Sequence, residues 1–95
     1  MRNHLVVSHV RLTAAPDDAQ ERGLLGWISL VLNDTIKLDG VTLRRTAGGR
    51  LALSFPARRD AGGRQHQYVR PLDDRARREI ESQVFQALGL EEVAR

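Results

Sequence analysis

Hydrophobic and polar residues alternate near the start of the chain, as they do in a β-strand with one solvated face. Val6, Val10 and Leu12 alternate with polar residues such as Arg11 before the chain reaches Pro16. Because successive side chains of a strand point to opposite faces, this period of two predicts a strand that ends before the proline. Residues 16–23 have no apolar period and predict an exposed connection.

The second apolar segment, residues 24–32, has hydrophobic side chains at both even and odd positions: Leu24, Leu25, Trp27, Ile28, Leu30, Val31 and Leu32. A strand of this kind is covered on both faces, either by its own domain or by a second subunit. We therefore expect Trp27 in the core, together with Phe55 of a later strand.

Three further strands are predicted, separated by turn signals. The alternation moves from even to odd positions after Gly40, and a glycine at such a phase change predicts a β-bulge or a bend. The glycine pairs at 48–49 and 62–63 predict hairpin turns. Because short turns link the five segments, the sequence predicts a five-stranded antiparallel meander with a bend near Gly40.

The last apolar segment has a helical period. One stripe carries Ala76, Ile80, Val84, Ala87 and Leu88, with Phe85 beside it. Asp73 or Asp74 is suited to the N-cap, and Gly89 to the left-handed position after the last turn. The prediction is a single α+β domain over residues 1–95, in which one C-terminal amphipathic helix covers the sheet.

Composition limits the classes of protein to consider. The chain has no cysteine, which excludes disulfides and thiolate chemistry and favours a reducing compartment. Its longest apolar stretches are far shorter than a membrane span or the core of a signal peptide. We therefore expect a cytoplasmic protein that does not enter a membrane.

The sequence offers little for catalysis. His4, His9 and His66 lie in different segments, and neither a metal-binding histidine pair, a serine nucleophile motif nor a phosphate-binding P-loop motif is present. We expect no enzymatic activity, no metal, no cofactor and no small-molecule substrate.

Charge is distributed unevenly along the chain. The net charge is +3, but residues 44–78 contain ten arginines and three aspartates, a local charge of +7, while the other residues sum to −4. A region this basic is typical of a surface that binds a polyanion.

Two arginine clusters in this region are candidate phosphate contacts. The first is Arg58, Arg59 and Arg64, on the glycine turn that follows Pro56. The second is Arg75, Arg77 and Arg78, where cations oppose the dipole at a helix start. The alternative for the second cluster is a solvated face on which arginines pair with Glu79 and Glu81.

The four aromatic residues are few for a protein that reads bases by stacking. We expect no exposed stacking platform, and Tyr68 is the one aromatic residue that could face a groove. Binding is therefore expected to be mainly electrostatic, with modest sequence specificity.

The order of these features resembles the stage V sporulation protein G (SpoVG) family, from about Val7 to Leu88. The resemblance is carried by Val10 Arg11 Leu12, Ile28 Ser29 Leu30, Leu51 Ala52 Leu53 Ser54 Phe55 Pro56 Ala57 Arg58 Arg59, Gly63, Arg70 Pro71 Leu72, and Arg77 with Ile80 and Val84.

The resemblance implies a homodimer formed through the sheet and a bacterial regulator of septation, sporulation or envelope-related genes that binds DNA and RNA. By position, Arg58 and Arg59 correspond to the paired bases of the family after the proline, and Arg77 to its helix arginine. The alternative function is a protein-interaction module that docks an acidic partner on the same basic face. The sequence leaves open the choice between DNA and RNA, the target and the pathway.

Overall fold

The computed structural model describes residues 4–90 and confirms the α+β class. Its elements are, in chain order, β1 (Val7–Ala14), α1 (Asp17–Glu21), β2 (Leu24–Leu32), β3 (Ile36–Arg45), β4 (Leu51–Ser54), β5 (Ala57–Arg59), β6 (Gln65–Gln67) and α2 (Asp74–Leu88). No helix among these residues has the length and apolar character needed to cross a membrane.

The main sheet has four antiparallel strands in the order β1-β2-β3-β4. The predicted irregularity at Gly40 is confirmed: β3 has one extra residue between Leu38 and Val41, and Gly40 has a φ of 80°. A second irregularity, which the sequence analysis did not predict, lies in β1 at His9, where φ is 52°. Both bend the sheet, because an unpaired residue increases the local twist.

The prediction of five strands in one sheet is wrong. β4 ends at Ser54, and β5 and β6 pair with each other as a separate two-stranded sheet. The break lies at Phe55 and Pro56. Phe55 is buried in the core, and Pro56 has no N–H and a fixed φ, so it cannot continue the hydrogen-bond ladder.

The connection predicted at residues 16–23 contains the short helix α1. None of its residues is buried, which explains the missing apolar period. Pro16 occupies the N-cap, and Asp17 and Asp18 lie in the first turn. Acidic residues in the first turn favour a helix start, because the first amides lack intrahelical partners and carry a partial positive charge.

Helix α2 begins and ends as predicted. The Asp73 side chain accepts a hydrogen bond from the Ala76 amide at 2.8 Å, and Gly89 adopts a left-handed φ of 72°. Its buried residues join the inner face of the sheet in one core: Ile28, Leu30, Leu38, Val41, Leu43, Leu51, Leu53, Phe55, Ile80, Val84 and Phe85. Ala87, which was predicted on the buried stripe, is exposed.

One side chain of α2 also forms hydrogen bonds with the start of edge strand β1. Gln83 accepts the Val7 N–H through Oε1 at 2.8 Å and donates from Nε2 to the Leu5 carbonyl at 2.7 Å. One side-chain amide thus replaces the peptide group of a missing neighbouring strand. This arrangement protects the start of an edge that would otherwise be open to pairing with another chain.

The opposite edge strand, β4, is protected in the same way. The Glu81 carboxylate accepts the Leu53 N–H at 3.1 Å, and Arg77 donates from Nη1 to the Leu53 carbonyl at 2.7 Å. Helix α2 therefore reaches both edges of the sheet, which must curve around it.

The prediction that Trp27 lies in the core is wrong, because its side chain lies on the outer face of the sheet. This residue is 40% exposed, whereas its neighbour Ile28 points inward and is buried. Thr13 and Thr42 are its partners on the adjacent strands, and Ser54 continues the row on β4. The Trp27 side of β2 is thus less buried than the Ile28 side, although Leu25, Ser29 and Val31 are partly buried.

Candidate nucleic-acid interface

The hairpin formed by β5 and β6 presents the first arginine cluster. Arg58 pairs with His66 and Arg59 with Gln65, and the turn at Gly63 has a φ of 85°. Residues 58, 59 and 61–70 are exposed. The hairpin therefore stands clear of the core, with its side chains accessible to a large partner.

Asp60 organises the turn of this hairpin. Its Oδ1 accepts the amides of Gly62 and Arg64, each at 2.9 Å, and its Oδ2 accepts His66 Nε2 at 2.7 Å. The hydrogen bond from His66 lowers the pKa of Asp60, and the amides of Arg64 and Gly62 act in the same direction. The sequence analysis missed this role, although an aspartate two residues before a glycine pair is typical of an Asx-turn.

The arginines of the hairpin keep most of their donors available. Arg59 donates from Nη1 to the Gly63 carbonyl at 3.0 Å, which uses one of its five N–H groups. No salt bridge among residues 4–90 involves Arg58, Arg59 or Arg64. Arg58 and Arg59 line a shallow groove together with Ala57 and Gln65.

Arg77 of the helix cluster is engaged within the fold. Besides its hydrogen bond to Leu53, its guanidinium lies 3.6 Å from Glu81 and 5.6 Å from the centre of the Phe55 ring. The side chain is 38% exposed. Of the two pairs considered for a solvated helix face, the one with Glu81 is therefore present, and it bridges the helix to β4.

Arg75 and Arg78 are exposed and line different grooves. Arg75 lines the same groove as Arg70, whereas Arg78 lines the same groove as Arg50. Because successive helical residues are about 100° apart, Arg75 and Arg78 point away from the core when Arg77 points toward it. Glu79 accepts a hydrogen bond from Gln83 and forms no salt bridge with Arg75.

The six predicted residues thus have three environments. Arg58, Arg59 and Arg64 share the hairpin, Arg75 and Arg78 border separate grooves at the start of α2, and Arg77 connects the helix to the sheet. Sequence spacing could not separate Arg77 from its neighbours, because its role depends on the backbone of β4.

Residues 4–90 contain no group of three or more histidine, aspartate or glutamate side chains that could hold a metal ion. No protein-family model matches this chain, and no curated protein matches it.

Proposed function

We propose that this protein is a small, non-enzymatic regulator that binds DNA or RNA through an arginine-rich surface. The contacts to phosphates come from Arg58, Arg59 and Arg64 of the hairpin and from Arg75 and Arg78 of α2. Arg77 supports the surface by fixing the helix start to β4.

The observation that carries the proposal is the exposed hairpin with its braced turn. Arg58 and Arg59 form no salt bridge with an acidic residue among residues 4–90, so their charge is available to an anion. Guanidinium groups also match phosphate geometry better than any other side chain. The hydrogen bonds of Asp60 and Arg59 hold the turn in one conformation, so less entropy is lost on binding.

The biological setting follows from the resemblance to the SpoVG family. It supports a cytoplasmic regulator linked to septation, sporulation or gene regulation that acts as a homodimer. The exposed Trp27 on the outer face of the sheet supports a dimer interface there, since aromatic residues are enriched at the centres of interfaces.

The test is the double variant Arg58→Ala/Arg59→Ala, with affinity for duplex DNA and for RNA measured at two salt concentrations. Neutralising four to six phosphates gives a slope of log affinity against log salt of about −3 to −5 for the unmodified protein. Loss of two contacts should weaken binding and bring the slope closer to zero by about 2.

The matched control is Arg44→Ala/Arg45→Ala, which removes the same charge from an exposed pair on β3. This variant should retain most of the slope. Equal effects of the two double variants, or no effect of either, would contradict a site on the hairpin. An acidic protein that stays bound after nuclease treatment would instead favour the alternative of a protein-docking surface.

A further inference from the structure

We propose that one face of the β5–β6 hairpin stacks unpaired bases, so that the protein prefers single-stranded nucleic acid to a duplex. The proposal rests on the function proposed above and names its substrate class. It also revises the expectation that the protein has no stacking platform.

The residues of this face follow from the register of the hairpin. Arg58 pairs with His66, and the Tyr68 N–H donates to the Pro56 carbonyl at 3.0 Å, which continues the same ladder by one step. Because side chains two residues apart on a strand share a face, Arg58, His66 and Tyr68 lie on the same side. The hydrogen bond from His66 to Asp60 agrees with this assignment, since Asp60 has the same parity as Arg58.

Both rings on this face are accessible. Tyr68 is 65% exposed, and the His66 side chain is 46% exposed. A tyrosine ring contributes a large apolar surface, and this one is left in water next to charged residues. Asp60 also fixes the orientation of the imidazole. Since its carboxylate can only accept, His66 donates from Nε2, and the rest of the ring stays available for contact.

The spacing of the two rings suits an unstacked strand. Residues two apart on a strand are separated by about 7 Å, roughly twice the rise of one nucleotide in a base-stacked helix. Bases in an extended single strand can be splayed onto side-chain rings, whereas the faces of bases inside a duplex are covered by their neighbours. The two rings can thus stack on bases that only a single strand exposes.

The charges around the rings favour a nucleic acid over a protein partner. Arg58 lies directly across from His66, and Arg64 has the same parity nearer the turn. Guanidinium groups beside aromatic rings form the combination of backbone contact and base stacking by which proteins bind single strands.

The experiment compares Tyr68→Ala and Tyr68→Phe in binding a labelled single-stranded oligonucleotide and the duplex of the same sequence. Removing the ring should weaken single-strand binding about 5- to 150-fold, while the salt slope and the duplex affinity stay unchanged. Tyr68→Phe keeps the ring and should bind like the unmodified protein. A 2-aminopurine base placed in the strand should show a stacking signal with the unmodified protein and with Tyr68→Phe. It should show none with Tyr68→Ala.

The matched control is Ile36→Ala, which shortens an exposed apolar residue elsewhere and should change nothing. Because Tyr68 is exposed, its variants should fold normally. If the unmodified protein binds both nucleic acids and Tyr68→Ala binds the single strand equally well, the stacking face is refuted and the proposed function stands. If the unmodified protein binds neither, both proposals are refuted.

Discussion

Three arginines within four residues of α2 have different surroundings. A shift of one position along the helix determines whether the side chain is exposed or hydrogen-bonded to β4. Arg75 and Arg78 are exposed, and Arg77 between them donates to the Leu53 carbonyl and pairs with Glu81. All three look alike in the sequence, since each is an arginine near a helix start. The difference arises because only Arg77 lies on the side of the helix that faces β4.

Arg77→Met should therefore destabilise the protein, whereas Arg78→Met should not. The first substitution removes a charged hydrogen bond and leaves the largely buried carboxylate of Glu81 without its cation, at a cost of about 1–3 kcal/mol in the free energy of unfolding. The second removes an exposed side chain and should change that free energy by less than about 0.5 kcal/mol. Urea denaturation of both variants is the measurement, and equal midpoints would contradict a structural role for Arg77.

At the scale of elements, the parts predicted correctly are those with local signals. The ends of α2 follow from Asp73 and Gly89, and the bend in β3 follows from Gly40. The division into two sheets was not predicted, because it depends on Phe55 turning into the core before Pro56 ends the ladder. The exposure of Trp27 was missed for a related reason, since an apolar strand pattern does not state which layer covers each face.

The arginines of the candidate site were predicted from charge, but the bracing of their hairpin was not. Asp60 receives hydrogen bonds from residues two, four and six positions further along, and the bond from His66 requires the strand pairing to be known. A two-stranded hairpin is marginally stable by itself, so these bonds matter for its order.

The order of the hairpin should depend on pH through Asp60. The pKa of Asp60 is lowered in the folded protein, first by His66 and then by the Arg64 amide. The ionised carboxylate therefore stabilises the folded hairpin at pH values above the pKa that Asp60 has in the unfolded chain. The effect is lost as the pH decreases below about 4. The amide chemical shifts of Gly62 and Arg64 should report this transition.

Asp60→Ala should show the altered amide shifts already at neutral pH, because it removes the acceptor altogether. Asp18→Ala is the control, since Asp18 forms an exposed pair with Arg22 on α1 and does not contact the hairpin. Unchanged shifts of Gly62 and Arg64 in Asp60→Ala would show that the turn is held by its backbone alone.

At the scale of the whole molecule, the two faces of the main sheet are unequal. The inner face is filled by α2, and the outer face carries a row of small polar residues interrupted by Trp27. Trp27 is 40% exposed within this polar row, and a large exposed ring is a suitable anchor for a second copy of the chain.

We expect light scattering at micromolar concentration to give twice the chain mass of 10.7 kDa. Trp27→Glu should yield a monomer, because a charge at the centre of an interface is left desolvated. Ile36→Glu introduces the same charge at an exposed apolar position near the start of β3 and should remain dimeric. A monomeric mass for the unmodified protein would exclude the proposed assembly.

The hydrogen bonds of Gln83 to the start of β1 affect how the protein folds during its synthesis. Gln83 joins Leu5 and Val7 across nearly the full span of the described chain. During translation, the four strands of the main sheet leave the ribosome well before Gln83 does. Until then, neither edge of the sheet is hydrogen-bonded to α2. Contacts so distant along the chain form slowly, and a nascent chain stalled before α2 would expose the strand edges that promote aggregation.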